Sequence, residues 1–177
     1  MPSQRTKSQK ISKARASKNS VAWFKDMVGK SGKGFGRAKL APGKMFTFGY
    51  DAKHKKTLPY WDRFPLIVVL DVAPQGFIGL NFHYLSPKDR EVFLKQLMKT
   101  ANKKQNKFNV TWDSVKRIPN AEKMIHKYLY SQVKTSMLES PSSEWHNVIY
   151  LPYQRFVGAS ASSRSEERRV GKECRSR

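Results

Sequence analysis

Cysteine occurs once in the 177-residue chain, at Cys174. That excludes an internal disulfide and a cysteine-based zinc site. It also fits an intracellular or virion-internal setting. Acidic residues are scarce as well: 13 Asp and Glu stand against 35 Lys and Arg, a formal net charge of +22. So few carboxylates leave little for a two-metal nuclease centre, which needs several of them converging on the ions. No apolar run approaches the roughly 20 residues of a membrane span. The longest, Phe64 to Leu70, is strand-sized and contains Pro65. No apolar stretch of signal-peptide length follows the basic N-terminus. H-E-x-x-H, G-x-S-x-G and D-x-D-x-D-G patterns are missing, as are a zinc finger, an RNP1 element and a basic zipper. No internal repeat is visible.

What is present is charge and aromatic surface together. A charge of +22 opposes a compact state unless a polyanion neutralises it. DNA or RNA is the usual one, because pairing phosphates releases condensed counterions; an anionic membrane surface is a second candidate. The hydrophobic fraction is 38%, with 10 Phe, 7 Tyr and 4 Trp. That is too aromatic for a wholly disordered chain and enough for one domain with a real core.

Composition divides the chain. Residues 1–19 carry six Lys or Arg, no acid and almost no large apolar side chain, so a disordered basic N-terminal arm is expected. Residues 20–38 read as a short helix with Val21, Trp23, Phe24, Met27 and Val28, then a glycine-rich basic loop from Gly29 to Arg37. Residues 39–163 read as a single α+β domain. Met45–Tyr50 alternates, with Phe46, Phe48 and Tyr50 on one face. Leu66–Val72 reads as a buried strand, Pro74-Gln75-Gly76 as a tight turn, and Phe77–Leu85 alternates again. These strands suggest a small antiparallel sheet or an open SH3-like barrel, followed by C-terminal helices. Ser86 and Pro87 cap a helix bearing Phe93, Leu94, Leu97 and Met98. Helical spacing returns near Asp113 and over Ala121–Gln132, through Ile125, Tyr128 and Leu129. Val148–Leu151 fits either a last strand or a helix end. Residues 164–177, RSEERRVGKECRSR, resemble the translation of a common sequencing adapter. The segment is expected to be a non-native tail, cutting short a chain that runs past Ser163. Removing its six basic and three acidic residues lowers the charge from +22 to +19.

Basic residues interleaved with aromatics carry the strongest functional signal. Lys53, His54, Lys55 and Lys56 precede Tyr60, Trp61, Asp62 and Arg63. The cations can pair phosphates, and Tyr60 and Trp61 either stack on exposed bases or pack into the core. Lys30, Lys33 and Arg37 on the glycine-rich loop are further phosphate candidates; Gly29-Lys30-Ser31 lacks the first glycine of a phosphate-binding P-loop. Lys103, Lys104, Lys107, Lys116 and Arg117 form a second basic stretch. Asp62 beside Arg63 reads as a structural ion pair. His83 reads as an ordinary sheet histidine, a phosphate contact, or a ligand or base. A competing enzyme reading, a nuclease or toxin-like ribonuclease on a small barrel, would use His54, Asp62, Arg63 and His83. With no base-reading motif, backbone and shape recognition is favoured.

The blocks PGKMFTFGYD, LPYWDRFPL and GFIGLNFHYL, between Pro42 and Leu85, resemble structural proteins of T-even-type tailed phages, the DNA end protector or head completion family. HKYLYSQV (126–133) and EWHNVIYLPYQRF (144–156) are similar too. The resemblance implies a virion protein, inside the head and later in the host cytoplasm. It would bind linear double-stranded DNA ends, shield them from exonuclease and help complete the filled head, with portal or neck proteins as further partners. It implies no catalytic residue, and no cofactor, metal, membrane or small-molecule substrate is expected. A head or neck structural protein without end-specific binding is the remaining alternative.

Overall fold

The computed structural model describes residues 39–151 and 156–157. The basic arm, the loop with Lys30, Lys33 and Arg37, and the 164–177 tail therefore lie outside the described residues.

Strand β3 (Leu66–Ala73) is the centre of the fold. Its apolar run is continuous because both sides of the sheet are covered. Leu66, Val68 and Leu70 enter one core, while Ile67 and Val69 enter the other. β3 turns through Pro74 and Gln75 into β4 (Gly76–Asn81), with a register shift between Val69 and Asp71. β1 (Met45–Thr47) pairs with the other side of β3. Two strands from the C-terminal half complete the sheet: β5 (Ile125–Leu129) beside β4, and β6 (Leu138–Glu139) beside β1. The order is β5-β4-β3-β1-β6, antiparallel throughout. The α+β expectation is met, and of its two forms the five-stranded sheet is the one found. A separate ribbon pairs β2 (Trp61–Asp62) with β7 (Phe156–Val157).

One core lies between the sheet and three helices. α1 (Pro87–Met98) starts where Ser86 and Pro87 predict: the Ser86 hydroxyl accepts the Asp89 amide at 3.2 Å. Phe93, Leu94 and Leu97 turn inward, as their 3.6-residue spacing requires. α2 (Trp112–Lys116) adds Val115 and α3 (Trp145–Val148) adds Trp145, which stacks on Phe108 at 3.9 Å. Val148–Leu151 is the end of a helix rather than a strand. Gly43, at φ +85°, lets the chain pass against this core; a Cβ there would sit 2.1 Å from the Phe108 carbonyl oxygen.

The second core is aromatic. Phe46, Phe48 and Tyr50 share one face, as their alternation predicts, and meet Phe77 and Tyr128. Phe48 is edge-on to Phe77 (5.6 Å) and to Tyr128 (5.4 Å), an arrangement that aligns ring edges with ring faces.

The expected helix over Ala121–Gln132 does not form. Ala121–Met124 and Tyr130–Gln132 are single 3-10 turns, and Ile125–Leu129 between them is an edge strand. Ile125, Tyr128 and Leu129 do sit at helical spacing, but Tyr128 gains more by burial against Phe48 and Phe77 in the strand. Such tertiary packing overrides local propensity.

Candidate nucleic-acid interface

Beyond β1 the chain passes through Tyr50, bridged to Val133, into an exposed turn over residues 53–59. The His54 carbonyl accepts the Thr57 amide (2.9 Å), the Thr57 hydroxyl (3.0 Å) and the Leu58 amide (3.0 Å), which fixes the turn. Lys53, His54, Lys55 and Lys56 are all exposed on it. Lys55 pairs with Asp51 at 3.1 Å, both side chains in solvent. Pairs of that kind contribute about 0–1 kcal/mol, so Asp51 holds Lys55 only weakly.

The return strand β2 is anchored from below. Asp62 is 3% exposed and His83 4%. The Asp62 carboxylate accepts the Phe64 amide (3.0 Å) and the Asn81 side-chain amide (3.2 Å), and lies 2.5 Å from His83 Nδ1. Asn81 also donates to the Tyr128 hydroxyl at 3.2 Å, and its oxygen accepts the His83 amide at 2.9 Å. Arg90, likewise buried, donates to the carbonyls of Leu85, His83 and Ile149. Asp62 is thus structural, as expected, but the expected partner Arg63 is corrected: the pairing is with His83. An i,i+1 neighbour in a strand points to the opposite face, so Arg63 faces outward while Asp62 faces in.

Burial raises the Asp62 pKa, but the His83 charge, with hydrogen bonds from His83, Asn81 and the Phe64 amide, outweighs it and holds the carboxyl below its ordinary range. Burial pushes His83 down, against the pull of Asp62. A neutral imidazole beside a carboxylate must carry its proton on Nδ1 and donate it. Both folded-state pKa values lie below the unfolded ones, so the unfolded chain binds more protons in acid and stability rises with pH. The loss on acidification begins near pH 6.5, where an unfolded histidine protonates, and deepens below pH 3.8 as Asp62 is titrated. His126, lowered chiefly by burial, acts in the same direction. Urea midpoints should therefore fall steadily from pH 7.5 to pH 5; equal midpoints at the two ends would contradict the burial of neutral His83 and His126.

Above this anchor lies a cleft of about 540 Å³. Gly49, Tyr50, Asp51, Lys55, Trp61, Arg63, Phe64, Lys134, Thr135 and Val157 line it. The Lys134 amide donates to the Gly49 carbonyl at 2.8 Å, and the Gly49 amide to the Thr135 hydroxyl at 2.7 Å. A Cβ on Gly49 would come within 2.8 Å of Thr135, so glycine permits this close approach. Arg63 sits 5.9 Å from the Phe64 ring centre. Among the described residues, neither Arg63 nor Lys134 has a hydrogen-bonded or ionic side-chain partner. Lys44 is by contrast held by Glu139 at 3.0 Å. The cleft therefore carries three cations against one carboxylate.

The sequence-predicted residues separate accordingly. Lys55, Trp61 and Arg63 meet in the cleft, and Lys53, His54 and Lys56 share its adjoining turn. Tyr60 does not line it; its ring stacks on Tyr84 (6.0 Å) and meets Phe156 edge-on (5.5 Å). Trp61 is half-buried, packing on the aromatic core. Lys134 was not legible in sequence, because it reaches the site through long-range pairing with Gly49. The second basic stretch, Lys103 to Arg117, is exposed beside Phe108 and Val115 of the other core. The sheet position expected for His83 is corrected: β4 ends at Asn81, whose side chain caps a 3-10 turn over Phe82–Tyr84, and His83 is buried on that turn. For the enzyme reading, Asp62 and His83 are sealed beneath the surface and His54 stands on the outer turn. Among the described residues, no three His, Cys, Asp or Glu are grouped to hold a metal ion, and no helix is long and apolar enough to cross a membrane.

The fold and this surface define a small basic α+β protein with a cationic, aromatic-walled cleft. Neither a search of curated proteins nor one of solved structures finds a match. The family model described as Phage T4 terminal DNA protecting protein matches residues 2–171, and the chain belongs to that family.

Proposed function

We propose that this chain binds the ends of packaged linear double-stranded DNA without regard to sequence and shields them from exonuclease. In this reading it acts inside the head, helps complete it alongside portal or neck proteins, and accompanies the DNA into the host cytoplasm. The observation that carries the reading is that Arg63 and Lys134, neither with a hydrogen-bonded or ionic side-chain partner among the described residues, line one cleft with Lys55 of the basic turn. Phosphate pairing by such groups is independent of sequence, and aromatic faces accept any base. The buried Asp62–His83 pair holds β2, whose Trp61 lines the cleft. The direct experiment is digestion of blunt linear DNA by a processive exonuclease. The protein should protect the linear duplex in proportion to end occupancy. Equal affinity for closed circular and linear DNA at the same length and salt would defeat end-specific protection.

A further inference from the structure

We infer that the cleft receives a single unpaired nucleotide at the strand end, so that the protein grips a frayed or overhanging terminus rather than a flush one. The inference rests on the end-binding reading and names the part of the DNA that the site takes.

Size argues first. At about 540 Å³ the cleft lies within the roughly 300–1,000 Å³ typical of pockets that enclose small molecules. One nucleotide fits such a space, whereas a base pair with both backbones attached does not. Composition argues second. Trp61 and Phe64, both partly exposed, bring ring surface to the lining, and base-on-aromatic stacking suits every base because each has a π-face. Lys55, Arg63 and Lys134 line the same cleft and supply positive charge for the phosphates that flank such a base. Among the described residues Asp51 is the only acid in the lining, and Lys55 already holds it at 3.1 Å. Rigidity argues third. β2 is held by the bonds of Asp62, and the Lys134 segment by its pairing with Gly49, so both segments that line the cleft are set before DNA arrives. A preformed site loses less ordering entropy on binding. Taking a nucleotide out of a stacked duplex costs a few kcal/mol, least when it is already unpaired. A one-nucleotide overhang should therefore enter more readily than a paired terminal base.

The test compares three duplexes of one sequence with the full chain: blunt at one end, carrying a one-nucleotide overhang there, or closed by a hairpin, the far end being closed in each. Binding is read by fluorescence anisotropy. We expect the overhang to bind about tenfold more tightly than the blunt duplex, and the hairpin most weakly. Lys134→Ala and Trp61→Leu should each erase most of the overhang advantage. Because Trp61→Leu also touches the aromatic core, the exposed Lys134→Ala is the variant that decides, with melting temperature confirming its fold. Equal binding of overhang and blunt ends, with the hairpin still weaker, overturns the cleft inference and leaves end binding standing. Equal binding of all three overturns both. An overhang advantage unchanged by Lys134→Ala also overturns the cleft assignment.

Discussion

Replacing Asp62 by alanine should unfold this domain more readily than any other single change at the interface. The carboxylate is 3% exposed and accepts the Phe64 amide and the Asn81 side chain while sitting against His83. Removing it leaves those donors buried without their acceptor. Breaking a buried pair by deleting one partner costs about 3–5 kcal/mol, against total stabilities of about 5–15 kcal/mol. A Tm lower by roughly 10 °C or more follows for a domain of this size. The loss has a direction as well. The polar cluster holds β2 to β4 and, through Asn81, to Tyr128 of β5, so its removal loosens β2, whose Trp61 lines the cleft. A double-mutant cycle with His83→Ala isolates the coupling, since the second substitution should cost much less once Asp62 is gone. A Tm within about 2 °C of the parent would show that the pair is not holding the ribbon.

The second large effect concerns affinity. Changing Lys53, Lys55, Lys56 and Arg63 together to glutamine should weaken binding to any linear duplex by two to three orders of magnitude at about 50 mM salt. Each phosphate neutralised releases condensed counterion, and log affinity falls against log salt with a slope of about 0.9 per contact. If all four side chains meet phosphates, the slope should shrink by about 3 to 4. All four are exposed, so the fold should survive, and melting curves check that. The Lys103, Lys104, Lys107, Lys116 and Arg117 stretch is the internal control, because it lies by the other core. Neutralising it should change the slope less. A larger change there than at the turn would move the interface to the opposite side of the sheet.

Much of the fold is legible in the sequence because local and tertiary demands coincide. In β3, the first half of β4 and α1, apolar pattern, a two-residue turn and a Ser-Pro cap point to the structure found, although the alternation over Phe77–Leu85 gives way at Asn81, which caps a 3-10 turn over Phe82–Tyr84. They diverge at β5, where Ile125, Tyr128 and Leu129 stand at helical spacing. The strand forms because Tyr128 completes an aromatic cluster assembled from Phe48, Tyr50 and Phe77. Nothing local to residues 121–132 records that cluster. β6, two residues long, is too short to carry a pattern. At the interface, the turn cations and Trp61 are legible because charge and aromatic side chains alternate within eleven positions. Lys134 is not, since only the Gly49 pairing brings it across. The Asp62–His83 pair is half legible: both residues stand out, but their union across 21 positions is a property of the sheet.

That sheet also dictates an order of assembly. Its middle three strands are complete by Asn81, but both flanking strands come from the last third of the described chain. The Lys44–Glu139 contact beside β1 joins residues 95 positions apart. A polypeptide emerging from the ribosome therefore presents β4 and β1 with open hydrogen-bonding edges until residues 125–139 arrive. Open edges of apolar strands invite pairing between chains, and long-range pairing is slow to form. Truncated products ending before Ile125 should accumulate as insoluble protein, and full-length chains should fold only after synthesis has passed Glu139. A structure suited to guarding the ends of DNA thus spends its own synthesis with two β edges unguarded.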